Sequence, residues 1–336
     1  MVFSLRAPVT LTCYLLTPIT KGTFYSSTNY RGIALLEILS KVYVNILNKR
    51  LTFFSNAYDK IAEAQAGFRS GYSTIDNGFI LYSIVNKHLC KKGRKLYVAF
   101  IDFKKAFDSV DRCKMFSILT KYGVKGHLLE SIKNIYNSVK ACVRNGSVYS
   151  DVFDCPIGLR QGCNLSPMLF SLFINELYMV MKDSGITGIQ LTPDTLQILM
   201  LLFADDVALT ADTVNGLQQQ LNVLNKYCQE WKLSVNIQKT KILVFKNGGN
   251  LSKHEKWFYE GERVEVVNGF SYVGLFFSSK LSMYKMSECM ANKAKRVTVS
   301  LLSSLNHLMP MSKTAFFKLF DAKIAPYYCM VRSFGA

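Results

Sequence analysis

The sequence predicts an α+β fold, and three observations point there. Residues 96–103 (LYVAFIDF) are aliphatic, β-branched and aromatic almost throughout, the composition of a buried strand. Residues 198–211 read as two short apolar strands joined at Asp205-Asp206. Segments of helical spacing surround both. The order is helices, strand, helices, strand pair, helix, strand, hairpin, helices, with few parallel strand–helix–strand units.

Taken in order, residues 1–20 (MVFSLRAPVTLTCYLLTPIT) are moderately apolar, but Arg6 interrupts them and they read poorly as a signal peptide. Residues 33–51 place Ile33, Leu36, Leu39, Tyr43, Ile46, Leu47 and Leu51 close to helical spacing. Residues 65–74 (QAGFRSGYST) are glycine-containing and basic, a loop. After the 96–103 strand, residues 156–166 (PIGLRQGCNLS) form a second loop. Ser166-Pro167 then opens a helix, Ser166 as its N-cap and Leu169, Phe170, Phe173, Ile174, Leu177 and Met181 on its apolar side. Beyond the strand pair, Leu217, Leu221, Leu224, Cys228 and Trp231 share one face of an amphipathic helix. Residues 241–245 are a strand followed by the turn NGGN, and 270–277 another strand or hairpin arm. From 284 to 308 the pattern is helical, and it stays so to the end.

The 336 residues suffice for one large domain or two to three smaller ones, and 49% hydrophobic content supports a substantial core. Forty-one Lys and Arg against 23 Asp and Glu leave a net charge of +18, which suits a polyanionic partner, nucleic acid before an acidic membrane surface. The basic residues are dispersed, as in Lys91, Lys92, Arg94 and Lys95, favouring a folded basic groove over a basic tail. Nine Cys without a Cys-x-x-Cys pair support neither a disulfide framework nor a cysteine zinc site, and point to a reducing compartment. The four His are scattered. The apolar run 198–204 is too short to span a bilayer, and no glycine-rich phosphate loop is present.

Two adjacent carboxylates inside the apolar stretch LLFADDVAL (201–209) are costly unless compensated. An isolated Asp-Asp is commonly just a turn, but a plain turn prefers Gly, Asn or Pro neighbours over Phe-Ala and Val-Ala. Asp102 ends another apolar strand. Three carboxylates on buried strands call for two divalent cations about 4 Å apart, the device of in-line phosphoryl displacement. Oxygen ligands favour Mg²⁺, with Mn²⁺ as the alternative.

FIDFKKAFDSVDR (100–112), GLRQGCNLSPMLFSLFINEL (158–177) and LLFADDVAL together resemble the reverse transcriptase of non-LTR (LINE-type) retrotransposons. The resemblance continues, in the family's order, through NYRGIALLEILSKVYVNILNKRL (29–51), QAGFRSGYST (65–74), LSVNIQKTKILVF (233–245) and FSYVGLFFS (270–278). It implies a right-hand polymerase fold of fingers, palm with an antiparallel sheet, and a partial helical thumb. It implies metal binding by Asp102, Asp205, Asp206 and the main-chain carbonyl of Phe103, Asp206 being the less directly engaged neighbour. Phe107 matches a bulky residue beneath the incoming sugar, which selects deoxynucleotides; Arg69 matches a triphosphate contact. Gln161 and Gly162 match the nucleotide and template side, with Gly162 permitting close backbone approach. Lys239 matches a lysine that neutralises or protonates leaving pyrophosphate. Tyr272, Val273 and Gly274 match the primer-grip hairpin, where backbone and aromatics hold the primer strand. Asn175 matches a motif asparagine of underived role, and Asp108 and Asp111 read as helix-start caps. Val273 replaces the family's more frequent Leu, and Thr20-Lys21 its double lysine.

The implied layout is fingers over 1–95, a palm strand over 96–112 and a fingers–palm connection over 113–157. The palm continues over 158–278, and a truncated thumb begins at 279–336. The implied partners are an RNA template, a DNA primer and dNTPs, without a membrane. The endonuclease and C-terminal nucleic-acid-binding regions of the full element protein are expected outside these residues. An intracellular, reducing location follows, nuclear in a eukaryote. Two alternatives stay open: a catalytically idle, truncated nucleic-acid-binding scaffold, and a group II intron-type reverse transcriptase.

Overall fold

The computed structural model describes residues 13–20, 30–91, 93–190, 197–305 and 312–332. The readings of residues 1–12, Lys21, Lys92, 306–308 and the last four positions lie outside them. The chain divides into two compact units. One comprises 1–68, 103–184 and 223–235; the other comprises 69–102, 185–222 and 236–336.

In the first unit, strand Cys13–Thr20 pairs antiparallel with Tyr30–Leu35 and parallel with Lys140–Asn145, which carries the short strands Val148–Tyr149 and Phe153–Asp154 on its other side. Helix Ser166–Asp183 has apolar residues on every side and is buried along most of its length. Its N-cap is Leu165, in αR conformation, so Ser166 is the first helical residue rather than the cap. The Ser166 hydroxyl is instead buried against the Tyr136 hydroxyl at 3.1 Å. Asp111 does cap a helix: its carboxylate accepts from the N–H groups of Cys113 (2.9 Å) and Lys114 (3.2 Å) at the start of Arg112–Lys121. A bond from Lys232 holds its pKa below the usual range. Asp108 is no cap; its N–H closes a turn onto the carbonyl of Lys105. The periodicity read over 33–51 ran across a junction: the strand ends at Leu35 and helix Ile38–Ala57 begins afterwards. That helix buries Val44, Leu47 and Leu51, while Leu39 and Ile46 are exposed.

The second unit is built on a five-stranded sheet in the order Glu265–Val267, Lys241–Lys246, Lys95–Ile101, Asp206–Ala211, Met200–Phe203. All pairings are antiparallel except the first. The central strand Lys95–Ile101 is hydrogen-bonded on both edges and buried on both faces, which explains its unbroken apolar run. Leu96, Val98 and Phe100 share one face by the two-residue period of a strand. They pack with Leu81, Ile84 and Val85 of helix Thr74–Leu89 and with Tyr272, Leu275 and Phe277 of the hairpin Gly269–Tyr272/Leu275–Ser278. Phe100 stacks on Phe270 at 4.5 Å between ring centroids, a pairing that adds about 0.5–1.5 kcal/mol beyond area burial. On the opposite face, Tyr97 meets the buried Trp257, and its hydroxyl donates to Glu255, which also accepts from Lys95. Helix Met283–Leu305 follows the hairpin. No helix among the described residues is long and apolar enough to cross a membrane.

Candidate active site

Asp102 is the first residue beyond the central strand. Its backbone is held on both sides by one turn: its N–H donates to the hydroxyl of Thr240 (3.2 Å), and its carbonyl accepts from the N–H of Asn236 (2.7 Å). The turn is closed by the N–H groups of Lys239 and Thr240 donating to the Asn236 carbonyl. Thr240 is almost fully buried, so its hydroxyl is committed to this task.

Sheet register does the rest. Val207 pairs with Ile101, so one further step places Asp206 opposite Asp102. On the other side, Lys241 pairs with Phe100, and the turn that precedes it, 236–240, brings Lys239 to the same end of the sheet. Directly opposed residues share a face, with Cβ atoms about 5 Å apart. Asp102 and Asp206, so opposed, line one recess of about 490 Å³ together with Gln238 and Lys239 of the turn, Lys241 and the segment Phe270–Gly274. Asp206 carries the electrostatic mark of this crowding. Surrounding protein atoms, then the charges of Asp205 and Asp102, push its carboxyl up to about 6, although part of the side chain still meets water.

The strand pair is joined at Ala204-Asp205 rather than Asp205-Asp206, because Asp206 already pairs with Phe203. Ala204 adopts φ +56°, a left-handed conformation that a non-glycine residue occupies only when its surroundings impose it. Asp205 thus stands in a strained turn, half-buried and outside the lining of the recess, while Asp206 lies within it. Among the described residues, no three His, Cys, Asp or Glu side chains form a ready-made metal-binding group. The donor set nevertheless fits a hard cation: carboxylate oxygens, one carboxyl being raised by burial and then by its neighbours' charges.

The Tyr272–Gly274 turn lines the same recess, while the Tyr272 side chain belongs to the core cluster. Tyr272 is 3% exposed; its hydroxyl is bonded by the Asn77 amide at 3.3 Å and lies 3.5 Å from the carbonyl of Leu201. Burial raises its pKa. The expectation of an aromatic grip is therefore corrected at this residue: the ring is core, since its apolar body and hydroxyl are both satisfied internally. Ser271 and Gly274 are the exposed positions, and the Gly274 carbonyl accepts from Lys293 at 2.7 Å. Arg69 lies in the same unit, half-buried with its guanidinium 4.3 Å from the centre of the Tyr72 ring, and does not line the recess.

The remaining expected residues belong to the first unit. Phe103 bridges Val235 at a position whose flanking bonds run from the N–H of Lys104 to the carbonyl of Ser234 and from Asn236 to Asp102. The bridge therefore does not use the carbonyl of Phe103. Phe107 stacks on Phe170 at 4.3 Å, and its carbonyl accepts from Leu159 at 2.8 Å. The carbonyl of Gln161 accepts from Ala34 at 2.7 Å. Gly162 has φ +106°, and a Cβ there would lie 2.8 Å from the carbonyl oxygen of Ala34. The close approach that requires glycine here is to the chain's own strand, Tyr30–Leu35. Asn175 acquires a role: it accepts from the N–H of Ala62 and donates to the carbonyl of Lys60 and the hydroxyl of Tyr122, fixing a loop.

Sequence reasoning missed the groups that hold these elements. Arg112 donates to the carbonyls of Tyr136, Ile157 and Gly158, and the Tyr136 ring lies between Arg112 and the buried Arg160. Thr240 and Asn77 act in the same way in the other unit. Nothing in their local spacing marks them, because each reaches residues distant in sequence.

A family model described as reverse transcriptase (RNA-dependent DNA polymerase) matches residues 19–277. The chain belongs to the reverse transcriptase family. This reverse transcriptase chain is 29% identical over 232 residues to the probable RNA-directed DNA polymerase from transposon BS of Drosophila melanogaster, covering 64% of this chain and 23% of that protein. It is 24% identical over 316 residues to the probable RNA-directed DNA polymerase from transposon X-element of the same fly, covering 90% and 33%. To the Pol polyprotein of a type-1 retrotransposable element R2 of Popillia japonica it is 27% identical over 279 residues, covering 79% and 38%. The chain thus spans between about a quarter and two fifths of these relatives. Among solved structures, telomerase from Candida tropicalis in complex with a telomeric RNA fragment superposes with a TM-score of 0.56 at 16% identity, over 81% of this chain and 44% of that one. Telomerase from Candida albicans gives 0.54 at 14%, over 83% and 48%. At these identities the likeness is one of fold, the right-hand polymerase fold that the motif blocks imply.

Proposed function

We propose that this chain is the RNA-directed DNA polymerase domain of a mobile-element protein, extending a primer 3′-hydroxyl with deoxynucleotides on an RNA template. The observation that carries this is the recess lined by Asp102, the Asp206 that strand register sets opposite it, Lys239 of the adjoining turn and residues 272–274, in a chain of this family. Asp102, Asp205 and Asp206, with the carbonyl of Phe103, would hold two Mg²⁺ ions, or Mn²⁺. When bound, the ions supply charge to activate the attacking oxygen and steady the leaving group.

The chain's own groups do the remaining work. Lys239 meets the negative charge of departing pyrophosphate. Arg69 contacts the triphosphate through charge-assisted bonds. Phe107 stands where a 2′-hydroxyl would clash, and Gln161 beside nucleotide and template, with Gly162 keeping its loop close to the neighbouring strand. The backbone of 271–274 supports the primer end. In this reading the blocks over 1–95, 96–112, 113–157, 158–278 and 279–336 act as fingers, palm strand, connection, palm and start of thumb. The net charge of +18 holds the template–primer duplex, so affinity falls steeply with salt. The compartment is intracellular and reducing, consistent with eight free cysteines among the described residues.

The test is primer extension on an RNA template with Mg²⁺ and dNTPs, wild type beside Asp205→Asn. Extension lost in the variant supports the reading. An active Asp205→Asn protein, or a wild type that binds duplex but never extends it, sinks it.

A further inference from the structure

We infer that Phe68 is a positioning residue for sugar selection, acting through Phe107. This rests on the reading of Phe107 as the residue beneath the incoming sugar.

Four observations carry it. First, Phe68 has φ +61°, a conformation costly for a bulky side chain and retained only where surroundings impose it. Second, the surroundings that impose it are visible. The N–H of Gly67 donates to the side chain of the fully buried Gln65 at 2.8 Å, and the carbonyl of Gly67 accepts from the buried Ser171 hydroxyl at 3.4 Å. The chain is thereby locked on the residue immediately before Phe68. Third, the ring so presented is 48% exposed, so core packing does not explain its position. Fourth, it meets Phe107 edge-on, with centroids 6.3 Å apart and planes at 85°, while among the described residues the other aromatic partner of Phe107 is Phe170, stacked at 4.3 Å and 17°.

Phe107 is therefore gripped by two rings of different standing. Phe170 is fully buried and belongs to helix Ser166–Asp183. Phe68 comes from a strained loop and is half-open to solvent. The Phe107 backbone is separately held, its carbonyl accepting from Leu159 at 2.8 Å. Side-chain orientation is what Phe68 adds, because removing one wall of a stacked ring frees rotation about its χ angles without moving its Cα. A ring that tilts no longer excludes a 2′-hydroxyl as sharply.

The experiment measures the ratio of dNTP to rNTP incorporation on one RNA template for wild type, Phe68→Ala, Phe68→Tyr, Phe107→Ala and the double variant Phe68→Ala/Phe107→Ala. An edge-to-face pair of this kind corresponds to about a two- to ten-fold loss of discrimination in Phe68→Ala. Phe68→Tyr restores the ratio, since it keeps the ring edge. The double variant discriminates no worse than Phe107→Ala alone, as expected for two residues acting through one ring. A Phe68→Ala ratio equal to wild type, or a loss that adds in full to that of Phe107→Ala, overturns the inference. A wild type without extension removes the polymerase reading and this inference with it. A wild type whose Phe107→Ala variant discriminates normally removes only the sugar-selection role of both rings.

Discussion

The turns Ala204-Asp205 and Val273-Gly274 both close two-residue hairpins in the second unit, and both hold a non-glycine residue at positive φ, +56° for Ala204 and +42° for Val273. Their contributions differ. The first turn carries a carboxylate at its tip and a second at the start of the next strand. The second sends its side chains inward, Tyr272 and Val273 into the core, and turns backbone outward at Gly274. One turn presents carboxylates; the other presents main chain backed by buried side chains. Strain at the two tips is similar, yet removing a side chain has a different meaning at each.

The largest expected effect tests the first turn and its partner strand. Asp102→Asn or Asp205→Asn removes several kcal/mol of charge complementarity, lowering primer extension by about 10³-fold or more while duplex binding persists. Equal loss of binding would break the distinction between chemistry and support. At the second turn the cost falls on stability. Tyr272→Ala empties a core site and costs about 3–5 kcal/mol in urea unfolding. Tyr272→Phe loses only the hydroxyl bonds near Asn77 and Leu201, about 1 kcal/mol, with primer affinity unchanged. Weakened primer binding by Tyr272→Phe at full stability would restore the ring to a gripping role.

A smaller effect is expected at Ala204. Ala204→Gly relieves the left-handed strain but frees the unfolded chain, for a net gain of about 1 kcal/mol, with extension falling as the Asp205 carboxylate loses its fixed aim. The smallest concerns Asp206 in metal-free protein. Its pKa is raised from 3.8 to about 6, so the folded state binds the proton more tightly than the unfolded state. Stability is then greatest below about pH 4 for this group and is lost as pH rises through 6. The magnitude stays below about 1 kcal/mol because the side chain is partly solvated. Asp206→Asn flattens this slope in thermal melts across pH 4–7 in chelator; an unchanged slope would place the coupling elsewhere.

The elements were legible wherever one periodicity ran unbroken. The strand Lys95–Ile101 declares itself because burial leaves its interior apolar, and the helix Ser166–Asp183 because apolar residues recur at helical spacing around the few buried polar groups Ser171, Asn175 and Glu176. Boundaries failed where two elements abut: the apolar spacing over 33–51 spans a strand end and a helix start. The carboxylates were legible because an apolar strand tolerates Asp only for a reason. Tyr272 was not, since an aromatic beside Gly reads alike whether its ring faces solvent or core. Thr240, Asn77, Gln65 and Arg112 were invisible because their partners lie far along the chain or, for Gln65, in a backbone turn without periodicity.

The central strand has a last consequence. Its ladder runs to Ile101 on the edge of Asp206–Ala211 and to Phe100 on the edge of Lys241–Lys246, and a strand's faces alternate at every step. A slip of one position in the first pairing would turn Asp206 to the far side of the sheet, and a slip in the second would draw the 236–240 turn away from the backbone of Asp102. A chain that extends a primer has thereby certified its own register, so a rapid assay for activity doubles as a proofreading signal for folding. Selection acting on the chemistry alone would preserve the alignment of three strands.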